Sequence, residues 1–162
     1  VCRVLKARGY EAYDTDDDGL AKWQHIHTGY VHPKSSVKAA QRTPEFLENH
    51  SWNVPRQEVE ALLARAAAKP IFLCGSLGNE DKLHDLFAAV FALYVDDETL
   101  THRLATRTNN DWGKQPHELA QTLEHHRQAY ERHRRLGDII VDAARPVEEV
   151  ADDVAARASA FA

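Results

Sequence analysis

Tyr13-Asp14-Thr15-Asp16-Asp17-Asp18-Gly19 has the highest local density of carboxylates in the chain, and it follows a strand-like stretch, Gly9-Tyr10-Glu11-Ala12-Tyr13. Aspartates at the exit of a strand are placed to meet a divalent metal, a hydroxyl or a cationic group. A polar turn is the competing reading, because Asp and Gly are turn residues. What flanks the run decides between the two.

Upstream, Val1, Val4 and Leu5 share a helical register, and Gly9 closes that helix over 1–8. The chain opens inside a helix, so a segment before Val1 is expected. Downstream, 20–51 is irregular and holds His25, His27 and His32 close together. Thr43 before Pro44 predicts a short capped helix over 44–50. Pro55 opens a helix whose apolar stripe is Val59, Leu62, Leu63 and Ala66, stopped at Lys69-Pro70. Ile71-Phe72-Leu73-Cys74, 89–95 and Ile139-Ile140-Val141 are continuous apolar runs that read as buried strands. Helices are predicted around 82–87, after Asp96 or Asp97, over 116–135 up to Gly137, and from Pro146 onward with Val147, Val150 and Val154 on one face. Strands alternating with helices predict an α/β fold: one parallel sheet between two helical layers, built as a single domain over 1–162. Ligands of such folds bind at the carboxyl ends of strands, where Asp14, Gly75, Asp96 and Asp142 fall.

With 162 residues and 43% hydrophobic content, the chain can bury a sizeable core. A net charge of -5 argues against a dedicated nucleic-acid binder, although a local arginine cluster can still hold a small anion. Two cysteines, Cys2 and Cys74, are too few for a disulfide framework, and a cytoplasmic setting is expected. No apolar run is long enough to span a membrane.

Asp14-x-Asp16-x-Asp18-Gly19 matches the first half of a calcium loop. The second half fails, because position 12 is His25 rather than Glu and the preceding element reads as strand. Arg103 and Arg107 are four apart on a predicted helix and share a face away from Leu100 and Leu104. Guanidinium pairs bind phosphate oxygens. The loop 108–116 after them is polar, contains Gly113 and Lys114, and suits a mobile lid over phosphates. The histidines read as scattered surface residues. No nucleophile elbow and no dinucleotide fingerprint is present.

The strand ending in Asp14-Thr15-Asp16, the run Glu98-x-Leu100-x-x-Arg103-Leu104-x-x-Arg107, and Asp142-Ala143-Ala144-Arg145-Pro146 together resemble the P-loop small-molecule kinases of the adenylate-kinase-like and shikimate-kinase-like group. Arg42-Thr43-Pro44-Glu45 and the stretch from Arg107 to Lys114 resemble uncharacterised nucleoside-kinase-like ATP-binding proteins. The resemblance covers nearly the whole chain. It departs at two points: the glycine-rich Gly-x-x-x-x-Gly-Lys-Ser/Thr loop is absent from 1–162, with its expected place before Val1, and no Asp follows the strand Ile71–Cys74, which shifts the metal role to Asp14 and Asp16.

The resemblance implies a three-layer P-loop fold, ATP and Mg²⁺ as cofactors, and a small hydroxyl-bearing acceptor such as a nucleoside, nucleotide or hydroxy acid. It implies that Asp14 helps to hold Mg²⁺, and that Asp16 shares the metal and orients or deprotonates the acceptor. Arg103 and Arg107 become lid residues, and Lys114 a phosphate contact. Ala144, Arg145 and Pro146 lie beside the adenine. Gly75 lets substrate approach the backbone, and 20–54 binds the acceptor with Trp23, Arg42 and Trp52 as contacts. Asp17 and Asp18 have no role of this kind. A nucleotide-binding regulatory protein without transfer activity is the alternative, and a calcium module a lesser one.

Overall fold

The computed structural model describes residues 1–33, 37–65 and 70–161, and shows a mixed α/β protein. Ala66 and Lys69, assigned above to the end of a helix, lie outside the described residues. The chain gathers into two compact units, Val1–Ala88 with Ala151–Ala162, and Ala89–Val150.

In the first unit, helix α1 (Cys2–Ala7) buries Cys2 and Leu5 and leads into strand β1 (Glu11–Asp14). β1 pairs in parallel with β4 (Ile71–Cys74), with Ala12 opposite Phe72 and Asp14 opposite Cys74. The Thr15 N–H donates to the Cys74 carbonyl at 2.9 Å, which carries the ladder one residue further. Gly75 follows at once, and it is a glycine for a steric reason. A Cβ there would overlap the Thr15 hydroxyl and lie 2.9 Å from Thr15 Cβ and Cγ2. The neighbour that approaches Gly75 is therefore the buried Thr15 side chain.

Between β1 and β4 the chain builds an antiparallel pair that the sequence reading treated as irregular. Strand β2 (Lys22–His25) faces β3 (His50–Asn53), with Trp23 opposite Trp52 and His25 opposite His50. A turn at Gly29, which has φ of +73°, returns the chain along the other edge of β2. There Gln24 bridges Val31, and the His32 N–H donates to the Trp23 carbonyl at 2.8 Å. Helix α2 (Pro44–Asn49) is capped by Thr43, whose Oγ1 accepts from the Phe46 N–H. Helix α3 (Arg56–Leu63) contributes Val59 to a core with Ala21, Val54 and Leu83. The helix expected over 82–87 is instead two short 3₁₀ turns, Glu80–Lys82 and His84–Leu86. Asp85 there holds Arg56 through two hydrogen bonds of 2.8 and 2.7 Å. Asn79 clamps the Val54 backbone, accepting from its N–H and donating to its carbonyl.

In the second unit, β5 (Phe91–Tyr94) and β6 (Ile139–Asp142) are parallel and in register from Phe91–Ile139 to Tyr94–Asp142. Helix α4 (Asp97–Thr106) begins at Asp96, whose carboxylate accepts from the Thr99 N–H at 2.7 Å. That bond holds the Asp96 carboxyl below its ordinary value. Helix α5 (Pro116–Leu136) ends at Gly137 in the left-handed conformation, φ 78°. It packs His126 flat on Tyr94, ring centroids 5.0 Å apart, and His126 Nε2 meets the Val95 carbonyl at 2.7 Å. His126 is thus a packing residue. Helix α6 (Val147–Ala158) begins in this unit and belongs to the first from Ala151 on; it buries Val150 and Val154 and exposes Val147, the third residue of its expected apolar face. Among the described residues, no helix is long and apolar enough to cross a membrane.

The cysteines meet within the first unit. Cys2 and Cys74 are free thiols and neighbour each other. Burial first, then the neighbouring Cys2, push the Cys74 thiol up to about 12 from an ordinary 9.0. In the unfolded chain this thiol ionises near its ordinary value, while in the folded chain it keeps its proton. Its contribution to stability is therefore intact below pH 9 and declines as pH rises towards 12. The expected result is a steeper alkaline fall of the urea midpoint in the native chain than in Cys74→Ser. Identical profiles would contradict this reading.

Candidate functional site

The acidic run folds into a tight turn at the carboxyl end of β1, and its carboxylates have separate tasks. Asp14 Oδ1 accepts from the Asp16 and Asp17 N–H groups, both at 3.0 Å, and so shapes the turn. Asp18 Oδ2 accepts from the Asp14 N–H at 2.7 Å and from Lys6 Nζ at 2.7 Å, which ties α1 to the turn. That bond raises the Lys6 ammonium above its usual value. Asp17 pairs with Arg3 at the surface, a contact of small energetic weight. Asp16 looks elsewhere: its Oδ1 accepts from Trp52 Nε1 at 2.9 Å and faces the Thr15 hydroxyl at 3.4 Å. The four aspartates thus divide into two that organise the turn, one in a surface ion pair and one that joins the turn to β3.

Trp52 belongs to a continuous aromatic face. Side chains alternate along strands, so Trp23 and His25 on β2, and His50 and Trp52 on β3, project to one side. Trp23 and Trp52 have ring centroids 5.3 Å apart, and His25 and His50 are 4.9 Å apart. His32 joins them from the returning segment, 5.0 Å from His50, with Tyr30 edge-on to it. Phe46 of α2 covers the group, stacked on His50 at 3.9 Å and edge-on to Trp23 at 5.3 Å. Partial burial first, then His50 and His25 beside it, lower the His32 imidazole below its ordinary value.

The sequence reading missed this face, although its signal was present. Trp23-x-His25, Tyr30-x-His32 and His50-x-Trp52 repeat an aromatic–histidine alternation with period two. The histidines of 20–54 are therefore gathered, not scattered. Of the acceptor contacts expected in this segment, Trp23 lies in the face and Arg42 is buried at the end of the 3₁₀ turn Ala39–Gln41.

In the second unit the expected phosphate contacts have internal partners. Helix α4 ends at Thr106, so Arg107 leaves the helix with extended backbone and does not continue the Arg103 face. Its guanidinium donates to the Trp112 carbonyl at 2.6 Å. Lys114 Nζ donates to the carbonyls of Ala105 and Arg107 at 2.6 and 2.7 Å, a cation closing a helix carboxyl end. The buried Glu118 accepts from the Gly113 N–H, and Trp112 Nε1 donates to Thr122. The loop expected as a lid is thus internally bonded at several points. Arg103 is exposed on α4. At the end of β6, Asp142 accepts from the Ala144 N–H, and Arg145 Nε donates to the Asp142 carbonyl. Pro146 opens α6 from this turn.

Metal chemistry is bounded by the donors present. Among the described residues, no group of three or more His, Cys, Asp and Glu side chains could hold a metal ion by itself. Asp14 and Asp16 supply two hard carboxylates, and Mg²⁺ is commonly bound by one or two carboxylates with water and substrate phosphates completing its shell. In donor type the pair suits that ion. Asp17 and Asp18 are engaged with Arg3 and Lys6. The chain matches no protein-family model, no curated protein and no solved structure.

Proposed function

We propose that this protein is an ATP-dependent small-molecule kinase on a three-layer, P-loop nucleoside-triphosphatase-like α/β fold. One observation carries the reading. Two carboxylates stand at the carboxyl end of a parallel strand, and one of them, Asp16, is held by the Trp52 indole N–H beside an aromatic face. Ligands of parallel α/β sheets bind at that end of the strands. An aromatic face next to a fixed carboxylate suits an acceptor with a flat or ring-shaped body and a hydroxyl to be phosphorylated.

In this reading Asp16 orients the acceptor hydroxyl and takes its proton as that oxygen bonds to the γ-phosphorus and the bond from the γ-phosphorus to the bridging oxygen breaks, with ADP as the leaving group. The indole N–H keeps the carboxylate in one place, so little ordering remains for the moment of reaction. Asp14 would hold Mg²⁺ together with Asp16, and the ion supplies neutralisation of the phosphate charge when bound. Trp23 and Trp52 contact the body of the acceptor. The roles of Arg103, Arg107, Lys114, Ala144, Arg145 and Pro146 on the nucleotide side rest on the family resemblance. The test is calorimetric titration of the full-length protein with ATP and ADP in the presence of Mg²⁺. Saturable binding is expected, and no heat with either nucleotide overturns the proposal.

A second reading, a nucleotide-binding regulatory protein without transfer, draws on a different observation. Arg107 and Lys114, the cations implied to meet phosphate, donate to main-chain carbonyls. Under that reading nucleotide binds and no acceptor is phosphorylated.

A further inference from the structure

His32 and His50 present their Nε2 atoms to each other at 3.1 Å in the half-buried aromatic face. Their proton positions follow from their partners. His50 Nδ1 lies 2.9 Å from the Phe46 carbonyl, which can only accept, so Nδ1 carries a proton. In the neutral ring this leaves the lone pair on Nε2, aimed at His32. His25 is the opposite case. Its Nδ1 accepts from the His27 and Thr28 N–H groups at 3.2 and 3.3 Å, so the proton of its neutral ring sits on Nε2. A neutral His25 therefore has no second lone pair to offer.

We propose that His32 and His50 form a two-imidazole site for a borderline divalent transition-metal ion, with Cu²⁺ bound more tightly than Ni²⁺ or Zn²⁺. Three features support it. First, two imidazole nitrogens at roughly 2.0–2.1 Å from one ion stand about 3.3 Å apart in tetrahedral geometry, and about 2.9 Å apart when cis in a square plane. The observed 3.1 Å falls between these values. Second, the bond from His50 Nδ1 to a backbone carbonyl is the outer contact that fixes the tautomer of a ligating histidine. Third, the ring walls are already in place: Phe46 stacks on His50 and Tyr30 stands against His32, so little side-chain motion is needed.

The proton inventory balances. Without metal, His32 Nε2–H donates to His50 Nε2. On binding, the His32 proton moves from Nε2 to Nδ1 by exchange with water, both Nε2 lone pairs turn to the ion, and no net proton is released. Two protein ligands leave the other positions to water or to an exogenous donor, so the site is open. Neither imidazole is assigned a part in the phosphoryl-transfer reaction, and the metal titration uses no nucleotide, so the two readings fail separately.

The experiment is calorimetric titration of the chelator-treated, full-length protein with Cu²⁺, Ni²⁺ and Zn²⁺ separately, with Mg²⁺ as the control ion. The expected result is one site in the order Cu²⁺ tightest, with no Mg²⁺ signal at the same concentrations. His32→Ala and His50→Ala each weaken it at least tenfold, and His25→Ala changes it less than threefold. Because His50→Ala can disturb β3, long-range ¹⁵N–¹H spectra of the native imidazoles give a second readout. Zn²⁺ is expected to shift the Nε2 resonances of His32 and His50 and to leave His50 Nδ1 protonated. Unchanged affinity in both variants, or Zn²⁺ shifts confined to other histidines, overturns the assignment.

Discussion

Asp16→Asn is expected to lower kcat for phosphoryl transfer at least about a hundredfold, the usual scale for losing a general base. The fold is expected to survive, because an asparagine Oδ1 still accepts the Trp52 indole N–H that Asp16 now receives at 2.9 Å. The comparison that isolates the chemistry is kcat against the thermal midpoint in the same preparation. A large loss of kcat with a midpoint within about 2 °C supports the role, since a shift of that size is a small part of a domain's stability. A variant with native kcat would remove Asp16 from the reaction. Asp14→Asn separates the two carboxylates. Its Oδ1 can still accept from the Asp16 and Asp17 N–H groups, so the turn is retained while half of the proposed Mg²⁺ pair is lost. The expected signature is a higher Mg²⁺ requirement.

Gly75→Ala is expected to destabilise the first unit by about 3 kcal/mol, the upper part of the range for overpacking. The added methyl overlaps the Thr15 hydroxyl, and Thr15 is 1% exposed. Thr15→Ala alone loses a buried hydroxyl and methyl. In combination the two changes relieve each other, so the double variant is expected to recover about 1–2 kcal/mol relative to additivity. Recovery remains partial because Thr15 Cβ itself lies 2.9 Å from the added methyl. Urea midpoints of the four proteins in the cycle measure the coupling. Strict additivity would show that Gly75 is small for another reason, such as the close approach of a substrate.

These two variants mark how far the sequence could be read. The parallel strands β1 and β4 were legible because local signals agree: an apolar run, a glycine after it and helices on either side. The caps at Thr43 and Asp96 and the stop at Gly137 were legible for the same reason, each being set by one side chain or one backbone angle. The antiparallel pair β2–β3 was not, because its partners are 25 or more residues apart and its half-buried face is built of Trp and His rather than aliphatic residues. The role of Gly75 needed the register, since only pairing Asp14 with Cys74 brings Thr15 beside it. The helical face shared by Arg103 and Arg107 failed for a local reason. Lys114 closes α4 at its carboxyl end, and Arg107 turns out of the helix to reach the Trp112 carbonyl. Asp14 and Asp16 were found as a pair, but the sequence could not show that one shapes the turn while the other reaches across to Trp52.

The most direct test of the central claim is ³¹P NMR of the full-length protein with ATP, Mg²⁺ and a panel of nucleosides, sugars and hydroxy acids. A kinase predicts ADP and one phosphorylated acceptor appearing in equal amounts, with both signals lost in Asp16→Asn. Bound ATP with no phosphorylated product from any hydroxyl-bearing acceptor would contradict it and leave the regulatory nucleotide-binding reading in its place.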